Sequence, residues 1–266
     1  MIRTLEVPLW GKRPHPSMRI FFPDGDRAQP RPALLVFRGG AYARDDGSGQ
    51  GSGEWAARQG LVGIEVEYGT RSTQSVFPAN YADAARSVRL VRHRAAEWGV
   101  DPKRIGVMGF SAGGHLASLL STQPSLPPPA DDDLARVSAR PDLVVLGYPL
   151  ISFVDGYAPG TFVGSIENFF GPRDITESLR RGFSNELHVD SHHPPVFIWT
   201  TADDSLVPAS HSRLFAEACK RARVPVVFHL YAHGPHGLGL ALDETSDVRN
   251  WTHELTTWLE QRWGTR

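Results

Sequence analysis

A single cysteine, Cys219, stands among 266 residues, which excludes an internal disulfide and any zinc site built on cysteines. Excess charge of either sign is also missing. Lys and Arg number 28 against 29 Asp and Glu, so the chain has no general electrostatic pull toward nucleic acid or an acidic membrane surface. No uninterrupted apolar run approaches the roughly 18 residues of a membrane span. The start, Met1-Ile2-Arg3-Thr4-Leu5-Glu6, lacks the apolar segment of a secretory leader. The expected setting is therefore cytoplasmic, although a leader removed from a natural precursor would leave no trace. What the chain does have is material for a core: 41% hydrophobic residues and 7 Trp, the composition of a packed protein rather than a disordered one. No internal repeat or interdomain linker is evident, so residues 1–266 read as one domain.

Short apolar bursts alternate with helix-like stretches. Ala33-Leu34-Leu35-Val36-Phe37 has the continuous apolar character of a strand buried on both faces. Similar bursts begin at Leu61, Ile105, Leu143, Val196 and Val226, and Ser17 to Phe22 reads as an earlier strand at the sheet edge. Between them, Tyr81, Ala84, Ala85, Val88, Val91, Ala95 and Trp98 recur at spacings of three and four, as do Leu214, Phe215, Ala218, Cys219 and Ala222. Val248, Trp251, Leu255, Trp258, Leu259 and Trp263 form a third stripe. Such stripes read as core, and Cys219 within one reads as an inert buried thiol. This alternation predicts an α/β fold: a mostly parallel sheet of about eight strands with helices on both faces. Residues 121–141, with Pro127-Pro128-Pro129 and Asp131-Asp132-Asp133, read as a solvated connection on the sheet rim. Residues 151–194 join two strands and carry Phe162, Phe169, Phe170 and Phe183, which either line a pocket or anchor the loop.

After the strand at Ile105 comes Gly109-Phe110-Ser111-Ala112-Gly113, a G-x-S-x-G pattern at a strand-to-helix junction. About 0.2 chance matches are expected in a chain of this composition, so the context carries the weight. A serine at the tip of a very sharp turn needs small residues two positions either side, where side chains would strike the neighbouring strand and helix. The helix that follows points its N-terminal N–H groups toward negative charge forming near Ser111.

A serine hydroxyl is a poor nucleophile at neutral pH and needs a hydrogen-bonded base, itself oriented by an acid. In this architecture the partners follow in the order serine, acid, histidine, each after a later strand. Thr201-Ala202-Asp203-Asp204-Ser205-Leu206-Val207-Pro208 follows the strand at Val196, and Ala232-His233-Gly234-Pro235-His236-Gly237-Leu238-Gly239 follows that at Val226. Each segment offers a decoy. The D-x-x-V-P turn favours Asp204 as the acid, leaving Asp203 to cap or bond the loop. Small neighbours favour His236 as the base, leaving His233 exposed or in support. Although His233 and His236 share H-x-x-H spacing, no H-E-x-x-H or acidic partner pattern accompanies them, so no metal and no cofactor is expected.

Just past the strand at Ala33 lies Arg38-Gly39-Gly40-Ala41-Tyr42. A glycine-rich turn there can aim bare N–H groups at the space above Ser111, and an oxyanion hole is expected from the N–H groups of Gly40, Ala41 and Ala112.

Together these residues resemble the α/β-hydrolase superfamily. More narrowly, the chain is similar to the acetyl-esterase branch that includes bacterial acetylxylan and feruloyl/acetyl xylan esterases. The likeness runs from Val7-Pro8-Leu9-Trp10 through Gly39-Gly40-Ala41-Tyr42, Trp98-Gly99-Val100-Asp101-Pro102 and Gly113-Gly114-His115-Leu116 to Gly147-Tyr148-Pro149-Leu150 and Gly234-Pro235-His236-Gly237. It implies a catalytic triad of Ser111, Asp204 and His236, with oxyanion donors at Gly40, Ala41 and Ala112. It also implies a small-molecule ester or an acetylated oligosaccharide such as xylan as substrate. Two departures stand out. Relatives usually begin the oxyanion turn with His or Pro and carry three glycines, whereas here Arg38 and Ala41 occupy those positions. Arg38 either brings a cation to the acyl site or is tied up in a salt bridge. The few residues before the first core strand leave no room for the N-terminal helical cap of hormone-sensitive-lipase-like enzymes. No large cap and a shallow pocket, unsuited to long acyl chains, are the expectation.

The leading reading is a serine carboxylic-ester hydrolase acting on short acyl groups through an acyl-enzyme. The same residues would serve an amide hydrolase such as an arylformamidase. A non-catalytic binding protein of hydrolase fold is the third reading, against which both Asp204 and His236 are present.

Overall fold

In the computed structural model, residues 2–11, 16–25, 29–126, 132–154 and 163–264 are described. Eight strands form one sheet: β1 (Arg3–Pro8), β2 (Ser17–Phe22), β3 (Arg31–Phe37), β4 (Val62–Glu67), β5 (Val100–Phe110), β6 (Leu143–Gly147), β7 (Val196–Thr201) and β8 (Val226–Tyr231). Their order is β1-β2-β4-β3-β5-β6-β7-β8. The first two pairings, β1 with β2 and β2 with β4, are antiparallel, and the rest are parallel. The strand expected at the edge, Ser17–Phe22, is thus one position in. The true edge is β1, whose sequence RTLEVP is mostly exposed and carries no apolar burst.

The helices are α1 (Ser52–Arg58), α2 (Ala79–His93), α3 (Ala95–Trp98), α4 (Ala112–Thr122), α5 (Val163–Phe170), α6 (Glu177–Gly182), α7 (Ser210–Arg221) and α8 (Trp251–Trp263). Alternation along each strand supplies two separate cores. Ala33, Leu35, Phe37, Val144, Leu146, Val196 and Ile198 face a layer built from α2, α3, α4, α5 and α7. Leu34, Val36, Leu143, Val145, Phe197 and Trp199 face α1 and α8, where Trp251, Leu255, Trp258 and Leu259 supply the third stripe read from the sequence. Fully burying such side chains stabilises by about 1.5–3 kcal/mol each, which is why continuous apolar runs specify the central strands. Cys219 is buried in the first core, and desolvation pushes its thiol up to about 12.

Two connections differ from a plain solvated loop. Asp132 is buried, hydrogen-bonded to Arg86 and to Arg89 Nη1 (3.1 Å), both on α2. Two guanidinium groups compensate a carboxylate removed from water, so a run of three aspartates conceals an internal ion pair. Residues 127–131, with the three prolines and Asp131, lie outside the described residues. In the β6–β7 connection, Phe169, Phe170 and Phe183 pack edge-to-face or tilted among themselves and with Phe77 and Phe153 at centroid distances of 4.6–5.9 Å, which makes them an anchor. Phe162 lies outside the described residues. Among the described residues no helix is long and apolar enough to cross a membrane.

Candidate active site

After β3 the chain moves to β4 on one side, then returns to lay β5 on the other. Strand order reverses at β3/β5, and in open α/β sheets the crevice outside the carboxyl ends at such a point receives ligands. The turn at Gly39–Tyr42 leaves β3 there, and Ser111 leaves β5 beside it.

Ser111 has φ 52° and ψ −119°, a conformation costing an L-residue on the order of 1–3 kcal/mol and kept only where the surroundings impose it. They do so by main-chain bonds: Ser111 N–H donates to Gly147 O, and Ser111 O accepts from both His115 and Leu150 N–H, each at 3.1 Å. The glycines have a steric cause. A Cβ at Gly109 would lie 2.1 Å from Gly113 O, and one at Gly113 would lie 2.1 Å from Phe37 O. Both positions therefore demand glycine for β5, α4 and β3 to approach this closely.

His236 Nε2 lies 2.8 Å from Ser111 Oγ, and His236 Nδ1 lies 2.7 Å from Asp204 Oδ2. The other Asp204 oxygen accepts from Leu206 and Val207 N–H at 2.9 and 3.0 Å, so the D-x-x-V-P turn fixes the carboxylate from behind. Three side chains spread over 125 residues of sequence thus form one hydrogen-bonded line. Tyr148 holds His236 from the side. Its ring meets His236 edge-on at 4.8 Å, and its hydroxyl accepts from Gly239 N–H at 2.8 Å, pinning the loop that carries the imidazole. Tyr148 was not among the residues singled out for the site. Its signal is the Gly-Tyr-Pro step directly after β6, the strand beside the nucleophile.

The decoys occupy a parallel arrangement. Asp203 Oδ2 pairs with His233 Nδ1 at 3.0 Å, and Asp203 Oδ1 accepts from Gly234 N–H at 2.8 Å. The His233 hydrogen bond, then that of Gly234, hold the Asp203 carboxyl below its usual range. Both side chains are exposed, and the hydrogen bonds of this pair run to the loop rather than to Ser111.

In the turn after β3, Gly40, Ala41 and Tyr42 have φ of 112°, 53° and 56°, a region that strains the two non-glycine residues. A Cβ at Gly40 would lie 1.8 Å from Arg44 O, so the first of the three must be glycine. Among the described residues the N–H groups of Gly40, Ala41 and Ala112 donate to no protein acceptor. Gly39 brings the turn against the nucleophile, since a Cβ there would lie 3.3 Å from that of Ser111. Arg38 is engaged by acids: Asp45 Oδ2 at 3.0 Å, and Glu65 and Glu67 at 3.7 Å. Its cation is matched locally and is not a free charge at the acyl site. A cavity of about 210 Å³, lined by Arg38, Gly39, Asp45, Val66, Glu67 and Tyr68 among others, opens beside Gly39.

Comparison with known proteins agrees with this fold. Residues 18–219 match the BD-FAE family. Over 220 residues the chain is 34% identical to endo-1,4-beta-xylanase B of Butyrivibrio fibrisolvens, covering 80% of this chain and 33% of that protein. An acetylxylan esterase of Xylanibacter ruminicola is 29% identical, over 90% of this chain and 48% of its own length. The chain thus spans between a third and a half of these two curated relatives. Among solved structures, an acetyl ester-xyloside bifunctional hydrolase from Caldicellulosiruptor lactoaceticus superposes with a TM-score of 0.87 at 36% identity, covering 97% of this chain and 96% of that one. Sheet topology and sequence likeness converge: the chain belongs to the BD-FAE family and has the α/β-hydrolase fold.

Proposed function

We propose that this protein hydrolyses short-acyl, acetyl-type carboxylic esters, acetylated carbohydrates such as xylan among them, with Ser111, His236 and Asp204 as its triad. The observation that carries the reading is the double engagement of His236, 2.8 Å from the serine hydroxyl and 2.7 Å from the carboxylate. In the first half-reaction Ser111 Oγ attacks the ester carbonyl while its proton passes to His236 Nε2. Asp204, accepting from Nδ1–H, keeps the imidazole in the tautomer whose Nε2 is free to take that proton, and stabilises the imidazolium. The carbonyl oxygen becomes an alkoxide in reach of the N–H groups of Gly40, Ala41 and Ala112; one such donor contributes on the order of 3 kcal/mol to lowering the barrier. His236 then protonates the departing alcohol, leaving an acyl-Ser111 ester. Water, deprotonated by the same imidazole, releases the acid.

One further observation supports the substrate class: two of the relatives are an acetylxylan esterase and an acetyl ester-xyloside bifunctional hydrolase. The test is a panel of p-nitrophenyl esters of rising acyl length, a matched anilide and acetylated xylo-oligosaccharides, run on wild type and Ser111→Ala. Acetate should be preferred over long acyl chains and over the anilide, and Ser111→Ala should lose turnover by several orders of magnitude. Comparable rates in the two proteins would end the proposal.

A further inference from the structure

His115 lies one helical turn after Ser111 on α4, fully buried, and no step of the reaction above uses it. Its Nε2–H donates to Phe183 O at 2.9 Å, which leaves Nδ1 as the acceptor of the Tyr42 hydroxyl at 2.8 Å. The ring stacks on Phe153 at 4.2 Å and meets Tyr42 edge-on at 5.9 Å. Burial pushes the imidazole down to about 4, so at neutral pH it stays uncharged and keeps this pattern.

Tyr42 is the third of the left-handed residues in the oxyanion turn, with its ring fully buried. Neither Ala41 nor Tyr42 is a residue that takes φ above zero readily, so the conformation must be imposed from outside. Three sets of contacts impose it. Tyr42 O and Ala43 O accept from Arg71 and Ser72 N–H, each at 2.8 Å. Asn168 Nδ2 donates to Ala41 O at 3.2 Å. The third is the Tyr42 hydroxyl on His115, a hydrogen bond that ties the turn to the helix starting at Ser111.

We infer that His115 and Tyr42 are positioning residues for ester hydrolysis: their hydrogen bond holds the Gly40–Tyr42 turn in register with Ser111, so that its bare N–H groups meet the developing oxyanion. The inference rests on the ester-hydrolase reading. A substrate's ground-state carbonyl gains little from such register, whereas the tetrahedral species depends on it. Loss of the bond should therefore appear in kcat and not in KM.

The test compares Tyr42→Phe, which keeps the ring, with His115→Ala and His115→Asn. The Asn Oδ1 stands close to where Nδ1 was and can still accept from Tyr42. With p-nitrophenyl acetate, Tyr42→Phe and His115→Ala should each lower kcat about 10- to 100-fold with KM within about 2-fold. A boronic acid that forms a tetrahedral adduct on Ser111 should bind more weakly by a similar factor. The double variant should lose no more than the larger single one, because both remove the same bond. His115→Asn should keep kcat within about 3-fold of wild type. Equal kcat in folded Tyr42→Phe and wild type would overturn the inference. So would a kcat loss in folded His115→Asn as large as that in His115→Ala, a comparison that stands even if Tyr42→Phe does not fold. Wild type inactive on every ester would instead sink the ester-hydrolase reading itself, and the inference with it.

Discussion

Two aspartate–histidine pairs stand side by side on the same two loops. Asp204–His236 and Asp203–His233 differ by 0.3 Å in their N···O distance, 2.7 against 3.0 Å. Their settings differ far more. The His236 and Asp204 side chains are 12% and 0% exposed, those of His233 and Asp203 80% and 51%. The buried carboxylate is saturated by Leu206 and Val207 N–H and the imidazole, and the far side of that imidazole meets a hydroxyl. The other pair lies in water, where solvent and salt screen its electrostatics. Residue type and spacing alone do not tell the two pairs apart; exclusion of water and a third partner do.

The widest separation between the pairs should come from the bases. His236→Ala should reduce kcat for p-nitrophenyl acetate by about 10⁴-fold or more, as expected when one member of a concerted unit is lost, while His233→Ala stays within about 3-fold. Steady-state kinetics on the two purified variants makes the comparison, and a large loss at His233 would exchange the assignments. Next come the acids. Asp204→Asn should lower kcat by about 10³- to 10⁴-fold by favouring the wrong imidazole tautomer. Asp203→Asn, which weakens only the loop bonds to Gly234 and His233, should cost less than about 10-fold; its kcat against pH keeps the wild-type shape if the role is merely to brace the loop.

A smaller effect concerns stability and three buried histidines outside the proposed triad. His115, His193 and His211 are pushed down to about 4, each mainly by burial. In the unfolded chain they titrate near 6.5, so between about pH 6.5 and 4 the unfolded state binds more protons than the native one. Stability therefore falls as the pH drops through that window, by on the order of 3 kcal/mol for each histidine at full effect. Thermal melts should show Tm declining steeply from pH 6.5 toward 4. In His193→Gln, whose ring partners are Ser121 Oγ and Pro194 O, the decline should be shallower.

Much of this was legible because burial on two sides writes itself as continuous apolar runs: β3, β4, β6 and β7 stand where such runs stand. β1 escaped because an edge strand needs no such run, and its RTLEVP shows mostly polar faces to solvent. α1 is seven residues opened by glycines, too short for periodicity, and is placed by Glu65, whose carboxylate accepts from Gly51 and Gly53 N–H. Asp132 looked solvated because its partners, Arg86 and Arg89, lie more than 40 residues away. In the site, Ser111, Asp204 and His236 were legible through turn chemistry, which is local. Tyr148 and the Tyr42–His115 bond were not, since each depends on distant segments meeting. The one hint was helical arithmetic: a histidine four residues past a serine sits one turn below it.

The account depends most directly on Ser111 being a hydroxyl activated through His236. A fluorophosphonate probe, followed by intact-mass measurement and peptide mapping, tests this without any assumption about the natural substrate. Wild type and His233→Ala should each gain one adduct, located on Ser111, at similar rates, while His236→Ala and Ser111→Ala gain none on the same timescale. An adduct located elsewhere, or equal labelling of His236→Ala and wild type, would contradict the account.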